Sequence, residues 1–193
     1  MHREASHAPQ HSVELRWENL AIEREEQRAG LGTDRIDLYQ FHRPDPNVPY
    51  AESIGALADL QRAGKIRHIG VSNVTREQLA QARAIVPVVS VQNRYNFEDR
   101  SSEDVLEACT KDGLAFLPWA PVGGPTRVKE QVLAVIARDH GATPLQIALA
   151  WLLKRSPVVL PIPGTGSIAH LDENIAAATL ELSDADFRQL SGV

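Results

Sequence analysis

The chain reads as an α/β protein with a parallel sheet, and three observations predict this. From Ile36 onward, short apolar runs of strand length alternate with longer amphipathic segments. Helix-start signals stand between the runs. Each run then ends on polar or aromatic residues: His42, Ser72 and Asn73, Gln92, Trp119. Parallel α/β folds gather their binding groups at such carboxyl ends. About five strands are expected. An open doubly wound sheet and a partial barrel both satisfy this pattern.

The elements follow in order. Residues 1–28 form an atypical leader, rich in His, Glu, Arg and Gln. It is expected to be poorly ordered or helical, with a helix from Val13 to Arg28 that ends near Gly30. His2, His7 and His11 read as part of this solvated leader, not as a metal site, because ligation needs fixed geometry. Residues 29–193 carry the regular part. Ile36–His42 is a strand, Tyr50–Ala63 a helix closed by Gly64, and Arg67–Ser72 a strand. Thr75 and Gln78 make a capping box that opens a helix to Ile85. Val88–Asn93 is a strand. A helix from Ser101 or Ser102 runs through Lys111 and stops at Gly113. Ala115–Ala120 is a strand, and Lys129–His140 a helix ended by Gly141. Thr143-Pro144-Leu145-Gln146 starts a helix to Lys154, with Thr at the cap and Pro at the first position. Val158–Pro161 is the fifth strand. Helices over Ala169–Ala178 and from Ser183 complete the chain.

Composition excludes several classes. The 193 residues suit one domain but fall below the about 250 typical of a closed eight-unit barrel. Hydrophobic residues are 43% and charged residues 23%, a folded balance. A net charge of −5 argues against a nucleic-acid binder or a basic membrane-surface protein. Cys109 is the single cysteine, so no internal disulfide forms and a reducing compartment is expected. The longest apolar stretch, Ile147–Leu153, is too short to span a bilayer, and no apolar run near the start suits a signal peptide. A cytoplasmic protein without membrane contact is the expectation.

Three stretches then carry a resemblance. The first is Gly32-Thr33-Asp34-Arg35-Ile36-Asp37-Leu38-Tyr39-Gln40-Phe41-His42-Arg43-Pro44-Asp45-Pro46. The second is Gly64-Lys65-Ile66-Arg67-His68-Ile69-Gly70-Val71-Ser72-Asn73. The third joins Pro161-Ile162-Pro163-Gly164-Thr165 to Leu171-Asp172-Glu173-Asn174. In this order they resemble signatures of the aldo-keto reductases. The resemblance implies a (β/α)8 TIM barrel, present here as a partial barrel that lacks its first three βα units. It implies an oxidoreductase that transfers hydride between a nicotinamide cofactor and a small aldehyde or ketone.

Roles follow residue by residue. His42 matches the family's catalytic histidine, which helps polarise the carbonyl. Ser72, Asn73 and Gln92 match contacts to the nicotinamide amide, and Trp119 the aromatic that stacks on its ring. Ala120, Pro121 and Val122 continue into the loop along the pyrophosphate. Gly164, Thr165 and Gly166 match the loop at the adenosine 2′-phosphate, although both glycines also suit a turn. Glu173 and Asn174 match the adenine end. Many relatives carry Lys and Arg where this chain has Gly164 and His170, and a neutral His is the weaker phosphate partner. The resemblance implies NADP(H), and the loss of these two cations leaves NAD(H) as the alternative.

The family's catalytic Asp, Tyr and Lys fall in the three units that this chain does not recognisably carry. Tyr39 should face away from His42. Tyr50 follows His42 in a loop, and Tyr95 reads as rim or substrate-pocket wall. Weak turnover or none is expected of the chain alone. The competing readings are a non-enzymatic cofactor-binding module and a gene fragment. Open sheet edges also predict self-association or a complementary partner.

Overall fold

The computed structural model describes residues 34–123 and 127–192. The predicted leader helix lies outside the described residues. Within them, β1 (Ile36–Phe41), β2 (Ile66–Ser72), β3 (Val88–Gln92) and β4 (Ala115–Phe116) form one parallel sheet in the order β1-β2-β3-β4. Each strand returns through a helix: α1 (Tyr50–Arg62), α2 (Arg76–Ile85) and α3 (Glu103–Asp112). Beyond β4 come α4 (Arg127–Asp139), α5 (Pro144–Arg155), α6 (Ile168–Ala176), a 3₁₀ turn (Ala177–Thr179) and α7 (Asp184–Ser191). A doubly wound sheet reverses its strand order at a switch point. This one keeps sequence order throughout, the arrangement of successive barrel units.

Local chemistry sets the helix ends. Thr75 accepts a hydrogen bond from the Gln78 amide at 3.2 Å, and the Gln78 side chain accepts from the Thr75 N–H at 3.0 Å. Thr143 and Gln146 repeat this box at 3.3 and 2.9 Å, with Pro144 opening α5. Gly113 closes α3 with φ 67°, a conformation that glycine adopts freely.

The register divides the sheet into two faces, because side chains alternate along a strand. Phe41, Val71, Val91 and Phe116 form one row. All are buried, and this face meets the helices. The core continues behind it through Tyr95, Phe97 and Trp151, with ring centroids 6.0 Å apart for Tyr95 and Trp151. The neighbouring row, Gln40, Gly70, Ser90 and Ala115, belongs to the other face. Ser90 donates to Gln40 Oε1 at 2.9 Å, and Gln40 donates to the Val71 carbonyl at 2.6 Å. A Cβ at Gly70 would collide with both Gln40 Oε1 and Ser90 Oγ, so the pair needs glycine between them.

Two strand expectations need correction. Among the described residues the sheet has four strands, not about five. Val158–Pro161 is reduced to a single bridge, Phe116 with Val159, although the Leu160 N–H and the Val158 carbonyl both bond Phe116 at 2.8 Å. Pro161 and Pro163 lack the N–H groups that would extend this ladder. The fourth strand stops at Phe116 rather than Ala120, because Pro118 interrupts its donors; a separate bridge joins Arg94 with Trp119.

Candidate functional site

β1, β2 and β3 end at the same level, so the residues that follow converge. His42 lies one position beyond β1 and is exposed. Ser72 closes β2, almost fully buried, and pairs in register with Gln92 at the end of β3. Asn73 then turns the chain in the left-handed region, φ 57°, a conformation that Asn tolerates better than most residues.

Asn73 ties these ends together. Its Nδ2 donates to the His42 carbonyl at 2.9 Å and to Ser72 Oγ at 3.1 Å. Its Oδ1 accepts from the Trp119 indole N–H at 3.0 Å. Its backbone N–H and the Ser72 hydroxyl both donate to the Gln92 carbonyl, at 3.0 and 2.5 Å. One network therefore joins five of the predicted positions: His42, Ser72, Asn73, Gln92 and Trp119. The Gln92 amide side chain is half-buried at this rim, as is the Trp119 ring.

The Arg94 guanidinium stands 5.5 Å from the centre of the Trp119 ring and pairs with Asp99 at 3.1 Å. Asp99 is held below the usual carboxylate range, first by the Ser101 hydroxyl and amide, then with Arg94 adding to the effect. Ala120, Pro121 and Val122 follow Trp119 in a turn that closes with the Gly123 N–H on the Ala120 carbonyl at 3.0 Å.

The second predicted group collects at the start of α6. Gly164, Thr165, Gly166 and His170 are exposed, while Glu173 and Asn174 are half-buried. Ser167 caps the helix by accepting from the His170 amide at 3.5 Å. Neither Gly164 nor Gly166 has positive φ, and a Cβ at either would meet nothing within 4 Å. Neither left-handed backbone nor crowding within the chain requires glycine here.

The tyrosines lie away from this rim. Tyr39 is buried in β1, on the face opposite His42. Tyr50 packs against Phe41, ring centroids 6.1 Å apart, which puts it on the helix side. Its hydroxyl is buried without a hydrogen-bond partner, and burial pushes its pKa up to about 12. Tyr95 is fully buried and donates to Glu103 Oε2 at 2.7 Å, so it is core rather than pocket wall. The alternation of a strand ends with β3, and sequence alone does not show which way the chain turns after it. Lys154 is engaged with Asp184 at 2.7 Å and with the Leu182 carbonyl at 2.8 Å.

Sequence reasoning assigned no role to Arg94 or Asn96. Both follow the strand-end residues Gln92 and Asn93, and that position was their only signal. Asn93, the last residue of the predicted strand Val88–Asn93, serves the fold. Buried, it grips both backbone groups of Val74, at 3.1 and 2.7 Å.

The comparisons with known proteins follow the same line. The aldo/keto reductase family profile matches residues 6–193. Pyridoxine 4-dehydrogenase of Escherichia coli (strain K12) is 48% identical over 169 residues, covering 84% of this chain and 59% of that protein. The structure superposes on a thermostable aldo-keto reductase solved with the inhibitor epalrestat, at TM-score 0.85 and 38% identity. That match covers 91% of this chain and 66% of the other. An aldo/keto reductase from Klebsiella pneumoniae, solved with NADP and acetate, matches at TM-score 0.79 and 29% identity. It covers 90% of this chain and 64% of that one. The chain spans 53% to 59% of the length of the curated relatives it matches. By profile, sequence and structure together, the chain belongs to the aldo/keto reductase family.

Proposed function

We propose that residues 29–193 bind a nicotinamide cofactor, NADP(H) in preference to NAD(H), at the carboxyl ends of the strands. The chemistry is that of an oxidoreductase acting on a small aldehyde or ketone. The observation that carries this reading is the network through Asn73, which holds His42, Ser72, Gln92 and Trp119 at one rim. A relative solved with NADP supports the choice of cofactor.

The donor set fits the group. A carboxamide needs both acceptors and donors, and the Ser72 hydroxyl and the Asn73 and Gln92 amides supply them. Ser72 and Asn73 are already fixed by each other, so the half-buried Gln92 amide is the one best presented. The Trp119 ring supplies a flat face. Ala120, Pro121 and Val122 supply backbone to the pyrophosphate. Gly164 and Gly166 leave open space for close approach near Thr165, and His170, Glu173 and Asn174 take the adenosine end.

When bound, the reduced nicotinamide supplies the hydride. His42, exposed beside Asn73, donates a hydrogen bond to the substrate oxygen and stabilises the charge that develops there. Proton delivery needs a tuned acid. The buried Tyr50 phenol, with its raised pKa, does not serve. We therefore read the described residues by themselves as a cofactor-binding rim of weak or no turnover. Exposed Leu38, Leu160 and Ile162 flank the two sides of the sheet and support self-association through them. A reducing, cytoplasmic compartment is the reading that a single free cysteine, Cys109, supports.

Titration of the purified chain with NADPH and NADH tests this. Tryptophan emission should quench with NADPH at lower concentration than with NADH. Trp119→Leu should abolish the quenching. Carbonyl turnover followed in the same cuvette should be near zero. Brisk turnover lost in His42→Ala would mean that another proton donor serves. Absence of quenching would overturn the cofactor assignment.

A further inference from the structure

The turn after Trp119 is strained, and one buried side chain grips it. Ala120 has φ 50°, in the left-handed region that alanine seldom adopts, and such a residue persists only where its surroundings over-determine it. The gripping side chain is Asn96, 1% exposed. Its Nδ2 donates to the Ala120 carbonyl at 3.0 Å. Its Oδ1 accepts from the Glu98 and Asp99 amides at 2.9 and 2.8 Å. Its own N–H donates to the Asp99 carbonyl at 3.0 Å.

The far side of the turn closes on the same amide. Gly123 has φ 61°, and a Cβ there would lie 3.2 Å from Asn96 Cγ and Oδ1. Asp99, fixed by Asn96 Oδ1, pairs with Arg94, whose guanidinium stands over the Trp119 ring. One carboxamide thus controls both the backbone that follows Trp119 and the ion pair above its indole.

We propose that Asn96 is the positioning residue of this site, acting through Ala120 and Asp99 and touching no ligand itself. It holds the 119–123 turn in the strained form that aims the Trp119 ring and the 120–122 backbone at the rim. This rests on the cofactor reading above. The role requires an amide, since two N–H groups need an acceptor and a carbonyl needs a donor at one side chain. Aspartate keeps the shape and the acceptors, but sets a carboxylate oxygen against the Ala120 carbonyl. Released, Ala120 relaxes to ordinary φ and turns the peptide away. Glycine at 120 adopts the left-handed form freely, so Ala120→Gly should rescue the loss.

The test compares Asn96→Asp, Ala120→Gly and the double variant. NADPH affinity is read by fluorescence, and the indole N–H resonances of Trp119 and Trp151 are read without cofactor. Asn96→Asp should weaken NADPH binding at least tenfold and shift the Trp119 resonance, with Trp151 unmoved. The double variant should recover most of both. Wild-type affinity and an unmoved Trp119 resonance in Asn96→Asp would overturn the proposal, as would a double variant no better than the single one. If the unsubstituted chain binds no NADPH, the cofactor reading fails. The Trp119 shift and its reversal by Ala120→Gly then decide this proposal alone. Should Asn96→Asp not fold, Gly123→Ala crowds the same amide while keeping every hydrogen-bonding group. It should displace the Trp119 resonance in the same way, and an unmoved resonance would overturn the proposal.

Discussion

The two faces of the sheet are built on different physics. On the helix side, Phe41, Val71, Val91 and Phe116 stand in register and are buried, and Trp151 stacks between Tyr95 and Phe187 behind them. Apolar burial holds that side. On the other side, the rows carry Gln40, Gly70 and Ser90, then His42, Ser72 and Gln92, and Leu38 is left 43% exposed. Hydrogen bonds hold that side, and several of its groups remain accessible. The first face gives stability and the second carries the proposed site. Their separation explains why Tyr39, Tyr50 and Tyr95 cannot assist His42: all three belong to the helix side.

Substitutions should separate the two faces. The largest loss is expected from Trp151→Ala, which empties the buried cluster and removes the indole hydrogen bond to Ser191. It should lower unfolding free energy by about 3–5 kcal/mol in urea titration. Gly70→Ala strikes the polar face, where the new methyl meets Gln40 and Ser90. A loss of roughly 1–3 kcal/mol is expected, and Gln40→Ala in the same chain should restore part of it. An additive double variant would show that the Gln40–Ser90 pair does not fill the space above Gly70.

Smaller effects sharpen the contrast. Asp186, near the start of α7, is held below the ordinary carboxylate value first by the Ser183 hydroxyl and then by His140. A carboxyl depressed in the folded state stabilises above its unfolded pKa, and that stability is lost as pH falls through its folded pKa. Asp186→Asn should therefore flatten the acid side of a stability–pH profile and leave Trp119 quenching by NADPH unchanged. The smallest effect belongs to Tyr50→Phe. Its hydroxyl is buried without a partner, so removal should relieve an unmet desolvation cost and raise stability by about 1 kcal/mol near pH 7. A phenol raised to about 12 in the fold makes stability fall as pH climbs above 10. Tyr50→Phe should reduce that alkaline loss, and should not alter any residual turnover.

Much of this was legible in the sequence because the signals were local. The capping boxes at Thr75 and Thr143 formed as their residues dictate. Alternation put Tyr39 on the face opposite His42, and the strand-end polar residues met at one rim. Three things were not legible. Prolines at 118, 161 and 163 shortened two strands whose apolar composition alone favours longer ones. Tyr95 turned into the core because Trp151 and Phe116, distant in sequence, receive its ring. Asn96 reaches Ala120, 24 residues away, and no spacing rule announces that bond.

Trp119 and Trp151 offer the most direct test, one indole on each side of the sheet. Their N–H resonances, assigned by Trp→Phe substitution, can be followed as NADPH is added. The account predicts that the Trp119 signal, bonded to Asn73, shifts and saturates while the Trp151 signal, bonded to Ser191, stays in place. A Trp119 signal that does not move, or a Trp151 signal that moves with it, would contradict a cofactor site on the polar face.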